Sequence, residues 1–74
     1  MLAKTFLAIM EVGNFRTASE TLNVTQSTVS ARVKVLEEQL GKKLFIRNKS
    51  GATATEAGLV FQEYALSFVQ LWER

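Results

Sequence analysis

The sequence predicts a mainly α-helical fold, a winged helix-turn-helix of three helices and a short β-hairpin followed by a long fourth helix. Apolar residues recur at helical spacing in the first twelve residues and again over residues 26–40. The turn-rich segment Asn48-Lys49-Ser50-Gly51 lies between two predicted short strands, which is typical of a hairpin. These strands are Leu44-Phe45-Ile46-Arg47 and Ala52-Thr53-Ala54. We expect residues 1–54 to form the winged helix-turn-helix and residues 55–74 to form the linker region for dimerisation, which consists of the last helix and its ends.

The first two predicted helices are short. The first covers residues 2–12 and ends at Gly13 and Asn14, because both residue types tolerate the left-handed backbone of a helix C-terminus. The second runs from about residue 16 or 17 to residue 22. Ala18 faces inward there, and its small side chain permits a close crossing with the next helix.

The third predicted helix, residues 26–40, has two opposite faces. Thr25 is a suitable N-cap, since its hydroxyl oxygen can accept a backbone N–H of the first turn. At about 100° per residue the apolar residues form one inward stripe, which consists of Val29, Val33, Leu36 and Leu40. The opposite face begins with small polar residues and becomes basic, so that it can approach the major groove of duplex DNA closely.

This outer face supplies the candidates for reading DNA. We expect base contacts from residues that can hydrogen-bond a base edge or touch a thymine methyl group, namely Gln26, Ser27, Ser30 and Ala31. Helix capping is the alternative for Gln26 and Ser27, and ordinary exposure is the alternative for Ser30. Lys34 points outward and favours a phosphate contact over a merely solvated lysine. Arg32 lies on the flank and fits a phosphate contact and an ion pair equally well.

Positive charge is concentrated in the middle of the chain. The formal net charge is +2, yet residues 26–52 carry six basic and two acidic residues, a net charge of +4. Residues 1–25 are neutral, and residues 53–74 carry a net charge of −2. This distribution suits a phosphate-bearing partner. Glu37 is expected to be a structural partner for a nearby cation rather than a contact to DNA.

The hairpin and the helix N-termini add further backbone candidates. Lys49 lies at the turn of the hairpin, residues 45–54, and is expected to reach the minor groove or the phosphate backbone. Arg47 fits that role and a contact within the protein equally well. Thr17 and Thr25 begin helices, whose N-termini favour anions, so their hydroxyl or N–H groups are expected to bind phosphate.

The last predicted helix, residues 56–73, carries more apolar surface than a domain of this size can cover. A contiguous exposed apolar patch usually marks an interface. We therefore expect two copies of the chain to pair through it. The predicted interface residues are Phe61, Tyr64, Ala65, Phe68, Leu71 and Trp72. A helix wholly enclosed by its own domain is the alternative.

The composition argues against an enzyme. The chain contains no His, Cys or Asp, and its Glu residues are scattered over helix faces. We expect no cofactor and no metal. Because no apolar run approaches the ~20 residues that span a bilayer, and no secretory signal pattern is present, we expect a cytoplasmic protein with no membrane partner.

Three motifs follow one another along the chain. They are Ala18-Ser19-Glu20-x-Leu22-Asn23-Val24-Thr25-Gln26-Ser27-x-Val29-Ser30, Leu36-Glu37-x-x-Leu40-Gly41-x-x-Leu44-Phe45-x-Arg47 and Thr55-x-Ala57-Gly58. Their order and spacing resemble the LysR-type transcriptional regulators. The family often has Pro where Ser27 stands, Leu where Ala54 stands, Arg at Ala31 in some members and a second wing Arg near Ser50.

The resemblance implies sequence-specific binding of double-stranded DNA by a homodimer that regulates transcription. In such regulators the recognition helix, here about residues 26–40, enters the major groove. The wing, here residues 45–54, contacts the neighbouring minor groove or backbone. The last helix pairs two subunits, and an effector-binding domain follows that this chain does not include. Two other classes stay open, a helical module that binds a different protein and a winged helix that only dimerises.

Overall fold

The expected winged helix-turn-helix is confirmed. The computed structural model describes residues 2–72, with the side chain of Trp72 left out. The elements follow in the order α1 (Leu2–Val12), α2 (Phe15–Leu22), α3 (Gln26–Leu40), β1 (Phe45–Asn48), β2 (Gly51–Ala54) and α4 (Glu56–Trp72). The two strands pair antiparallel, with Phe45 opposite Ala54 and Asn48 opposite Gly51. Between Leu2 and Trp72 no helix has the length and apolar character that crossing a membrane requires.

A cluster of aromatic rings holds the elements together. Phe6 of α1 is fully buried, and its ring centroid lies 5.1 Å from that of Phe45 and 4.9 Å from that of Phe61. Phe15 lies edge-on to Phe45 at 5.8 Å. Such pairs add about 0.5–1.5 kcal/mol to the effect of burial alone. The cluster therefore ties α1, α2, the hairpin and α4 into one core.

The ends of α2 and α3 are fixed by local hydrogen bonds. Asn14 caps α2 by accepting the N–H of Thr17 at 2.7 Å, so this helix begins at Phe15, slightly earlier than expected. Thr25 is the N-cap of α3, as predicted, and accepts the N–H of Thr28 at 3.1 Å. Gly41 ends α3 in the left-handed conformation, with a φ of 67°.

The inward stripe of α3 is shorter than predicted. Val29, Val33 and Leu36 are buried, but Leu40 keeps 43% of its surface exposed, so the expectation for Leu40 was wrong. The last turn of α3 extends past the core. Leu40 there borders a groove whose other wall is the outer side of α4.

The inner side of α4 belongs to the same core as residues 2–54. Phe61 packs edge-on against Phe6, and Ala65 is only 2% exposed. Gly58 permits the close approach, because a Cβ atom at this position would collide with the carbonyl oxygen of Leu44. The start of α4 is thereby held directly against the segment that leads into the hairpin.

Candidate nucleic-acid interface

The outer face of α3 is mostly accessible. Gln26, Ser27, Ala31 and Lys34 are exposed. Ser30 is half-buried instead, because it lies about 100° around the helix from the buried Val29 rather than opposite to it. Its hydroxyl belongs to the edge of the face, next to the hairpin.

A crevice of about 360 Å³ separates α3 from the hairpin. Ser30 and Lys34 line it from α3, and Phe45 and Arg47 line it from β1. The polar face of the helix and the first strand of the wing therefore border one continuous surface.

Arg47 makes the contact within the protein that was one of its two expected roles. The central carbon of its guanidinium lies 4.2 Å from the ring centroid of Phe15, which is a cation–π contact. The side chain is nevertheless exposed. Because the N–H donors of a guanidinium lie in its own plane, stacking on the ring does not consume them. Arg47 is held in place and can still bind an anion.

A second depression, of about 250 Å³, brings another cation to this surface. It is lined by Asn14 and Arg16 at the start of α2, and by Arg47 and Lys49 of the hairpin. Grouped cations raise the local potential and attract anions. Sequence reasoning missed Arg16, although its place in the first turn of a helix that also carries Thr17 was an available signal.

The two threonines at helix starts are already engaged. The N–H of Thr17 donates to Asn14, so this group is committed within the protein and only the hydroxyl is left for the predicted phosphate contact. The hydroxyl oxygen of Thr25 caps α3 and lies 2.9 Å from the hydroxyl oxygen of Thr28. Thr25 is exposed and Thr17 is half-buried.

Arg32 is directed towards α1. Its Nη1 atom donates a hydrogen bond of 3.2 Å to the hydroxyl oxygen of Thr5, a buried residue of α1. The partner of Arg32 within the protein is therefore a neutral hydroxyl, whereas the expected ion pair would have required a carboxylate. Arg32 is half-buried and lies apart from the crevice that Lys34 and Arg47 line.

Glu37 is a structural partner, as expected, but chiefly for backbone groups. Its Oε2 atom accepts the N–H of Leu44 at 2.8 Å and that of Phe45 at 3.4 Å. The sequence predicted a nearby cation without naming it, and in the structure this cation is Lys43, whose Nζ lies 3.9 Å from Oε1 of Glu37. Because the Lys43 side chain is 83% exposed, this ion pair adds little. Within residues 2–72 no group of three or more His, Cys, Asp or Glu could hold a metal ion.

The predicted interface residues of α4 divide into two groups. Tyr64 and Leu71 are 68% and 71% exposed, and Phe68 is exposed as well. Phe61 is half-buried against Phe6, and Ala65 faces the core, so its side chain is already covered by its own domain. The side chain of Trp72 lies outside the described part of the chain.

Two apolar grooves run along α4, one on each side of Tyr64. The first, of about 570 Å³, is lined by Leu40 and Leu44 opposite Val60. The second, of about 550 Å³, lies between α4 and the side chains of Leu2 and Leu36. Large apolar side chains of a partner can fill the two grooves and pack against the exposed ring between them.

Comparison with known proteins gives one family model, described as a bacterial regulatory helix-turn-helix protein of the lysR family, which matches residues 2–59. The HTH-type transcriptional regulator HdfR of Escherichia coli O139:H28 is 40% identical over 72 residues, which are 97% of this chain and 26% of that protein. The HdfR protein of Escherichia fergusonii matches equally well. The chain thus spans about a quarter of the length of these curated relatives.

Solved structures resemble the fold over nearly the whole chain. A crystal structure of a CbnR_DBD–DNA complex has a TM-score of 0.95 and 34% identity, and the match covers 99% of this chain and 84% of that one. The crystal structure of Vibrio fischeri DarR in complex with DNA has a TM-score of 0.92 and 33% identity, over 97% of this chain and 25% of that one.

Proposed function

This chain belongs to the lysR family of bacterial regulatory helix-turn-helix proteins, and we propose that it is the part of a transcriptional regulator that binds double-stranded DNA sequence-specifically, as a homodimer. The family is one of regulators rather than of enzymes. The relatives extend well beyond the matched region, and an effector-binding domain in that remainder would control the activity of the regulator. Bacterial DNA lies in the cytoplasm, which is where this function would be carried out.

One observation carries the proposal. The exposed polar face of α3 and the basic hairpin border the same crevice, with Ser30 and Lys34 on one side and Arg47 on the other. Bases are read by small polar groups that enter a groove, whereas orientation on the duplex is set by cations along the flanking phosphates. This surface offers both kinds of group next to each other.

In the proposed complex α3 lies in the major groove and the wing, residues 45–54, lies on the neighbouring minor groove or backbone. The base-reading residues are Gln26, Ser27, Ser30 and Ala31. The phosphate or minor-groove residues are Thr17, Thr25, Arg32, Lys34, Arg47 and Lys49, to which we add Arg16. Lys34 and Arg47 are the strongest members, since they lie beside the base-reading face and remain exposed.

Pairing of two chains would place two such surfaces on one duplex. The exposed apolar side of α4 supports this step, with Tyr64 bordering both grooves and Leu71 further along the helix, near its end. In this arrangement residues 1–54 contact DNA and residues 55–74 join the subunits. A dimer with two-fold symmetry reads two related half-sites.

The test is selection from a random pool of duplex DNA with the 74-residue chain. We expect enrichment of one sequence with two related half-sites, and binding of the enriched duplex at least tenfold tighter than of the starting pool. A folded chain that leaves the pool random, with no preference among duplexes, would contradict the proposal. In that case binding of a protein partner through the outer face of α3 becomes the better account.

A further inference from the structure

The segment between α3 and the hairpin is held from two sides. From α3, the carboxylate of Glu37 accepts the N–H groups of Leu44 and Phe45. From the start of α4, the hydroxyl of Thr55 donates to the carbonyl oxygen of Lys43 at 2.6 Å, and its N–H donates to that of Leu44 at 2.9 Å. The backbone entering β1 thus has little freedom to move relative to α3.

Of the two side chains that hold this segment, Glu37 is the one that belongs to the proposed recognition helix. Only 15% of its side chain is exposed, and hydrogen bonds from N–H groups to a carboxylate are stronger than those to a neutral acceptor. Glu37 also lines the crevice that contains Lys34 and Arg47. A negative charge there opposes phosphate binding. Any benefit of Glu37 to DNA binding therefore comes through the backbone that its carboxylate holds.

The geometry of the hairpin indicates what that contribution is. The far strand is anchored independently, because the N–H of Ala52 donates to the carbonyl oxygen of Gly13 at 2.9 Å. Arg47 lies two residues after Phe45, and Lys49 lies four residues after it. A displacement of the backbone at Phe45 would therefore move both cations. Without Glu37, the hairpin would keep its hydrogen bond to Gly13, between α1 and α2, and the bonds from Thr55, but it would lose the hydrogen bonds to α3.

We propose that Glu37 is a positioning residue for DNA binding, which sets the separation of α3 and the wing so that both can contact one duplex at the same time. This inference rests on the proposed function. It assigns to Glu37 a role exerted through the backbone of Leu44 and Phe45, with no contact between its own side chain and DNA.

The test compares Glu37→Ala with Glu38→Ala, using the duplex enriched from the random pool. Glu38 is the adjacent carboxylate of the same helix and is exposed, so both variants lose the same charge. Loss of a negative charge near DNA by itself strengthens binding. We expect Glu38→Ala to bind as well as the unaltered chain or better. We expect Glu37→Ala to bind about tenfold more weakly. This is the effect of losing one charge-assisted hydrogen bond from a displaced wing cation to a phosphate.

Hydroxyl-radical footprinting separates positioning from a general loss of stability. Glu37→Ala should keep the protection that α3 gives and lose the flanking protection that the wing gives, whereas a merely unstable chain would lose both in proportion. Glu37→Gln should restore the flanking protection, since its amide oxygen can accept the same N–H groups. An affinity and footprint of Glu37→Ala equal to those of Glu38→Ala would overturn the proposal.

Amide hydrogen exchange of the chain without DNA distinguishes this proposal from the proposed function. The N–H groups of Leu44 and Phe45 should exchange faster in Glu37→Ala than in Glu38→Ala, with Glu37→Gln between them. Equal rates would overturn the positioning role, whether or not the unaltered chain binds a duplex. If Glu37→Ala does not fold, Glu37→Leu, which keeps the bulk of the side chain but has no acceptor oxygen, carries the same test. Exchange of the Leu44 and Phe45 N–H groups in Glu37→Leu as slow as in the unaltered chain would overturn the proposal.

Discussion

On the side of α3 and the hairpin the exposed side chains are small, polar or cationic, whereas on the outer side of α4 they are large and apolar. Lys34 and Arg47 represent the first surface, and Tyr64 and Leu71 represent the second. The side chains of Glu37 and Thr25 accept hydrogen bonds from backbone N–H groups and so fix the backbone behind the first surface. The second surface consists of side chains beside two grooves.

This difference shows how a chain of 74 residues can serve two kinds of partner. A regular array of phosphates is matched by cations whose positions the backbone fixes, so rigidity matters there. A second copy of the chain is matched by apolar area, since burying such area is the main favourable term in association. The aromatic cluster around Phe6 lies between the two surfaces and sets their relative orientation.

The largest effect should come from removing that shared link. Phe6→Ala deletes a fully buried ring in contact with Phe45 and Phe61. Substitutions of this kind cost about 3–5 kcal/mol, which is comparable to the whole stability of so small a domain. Urea unfolding monitored by circular dichroism should show that the chain is mostly unfolded even without urea. This variant should then neither bind DNA nor form dimers. Leu59→Ala, at an exposed position of α4, is the control and should stay folded.

The next effect should be confined to the apolar surface. Leu71→Gln keeps the size of the side chain but makes it polar. A buried leucine contributes about 1.5–3 kcal/mol, so the dissociation constant of the dimer should rise at least about tenfold. Sedimentation equilibrium measures this dissociation constant. Gln70→Ala, about 100° around the helix, should leave pairing unchanged. Equal effects of the two substitutions would place the dimer surface elsewhere.

Two substitutions on α3 should separate affinity from sequence preference. Lys34→Ala should weaken binding to all duplexes alike and reduce the slope of log K against log salt by about 0.9, the contribution of one phosphate. Ser30→Ala should change the preference among sequences by about 1 kcal/mol, which is the contribution of one hydrogen bond between neutral groups. Competition titrations with variant duplexes measure both. If Ser30→Ala loses affinity equally on every duplex, its role as a base contact is wrong.

The smallest effect should appear at the start of α3. Thr25→Ala removes the N-cap bond to the N–H of Thr28 and should lower the free energy of unfolding by about 1 kcal/mol. Thr25→Ser retains the hydroxyl and should lose much less. If Thr25 also contacts phosphate, Thr25→Ala will weaken DNA binding by more than its loss of folded protein explains. Equal stability of the three chains would show that the cap is unimportant.

Local chemistry made much of this fold predictable. The Thr25 cap, Gly41 and the turn between the strands mark element ends through backbone conformation and nearby hydrogen bonds, which the sequence displays directly. Periodicity and turn residues supplied the order of the elements, and the family motifs agree with it. Periodicity alone failed at Leu40, because helical spacing identifies a face but not where the neighbouring core stops.

Contacts between distant segments were harder to foresee. The stacking of Arg47 on Phe15 and the approach of Arg16 to the wing join residues about thirty positions apart. The donors to the Glu37 carboxylate were missed for another reason, since they are backbone N–H groups, which every residue except proline carries. Nothing in the side-chain pattern marks Leu44 and Phe45 as the donors.

The central claim is that one side of this chain binds DNA while the other pairs two copies. The most direct test is titration of duplex DNA with the 74-residue chain at two salt concentrations, with its mass in solution measured in parallel. We predict a dimer whose DNA binding weakens steeply with salt, by about 0.9 in log K per unit of log salt for each phosphate contacted. A folded chain that leaves DNA unbound, or binds it equally at both salt concentrations, would contradict the claim.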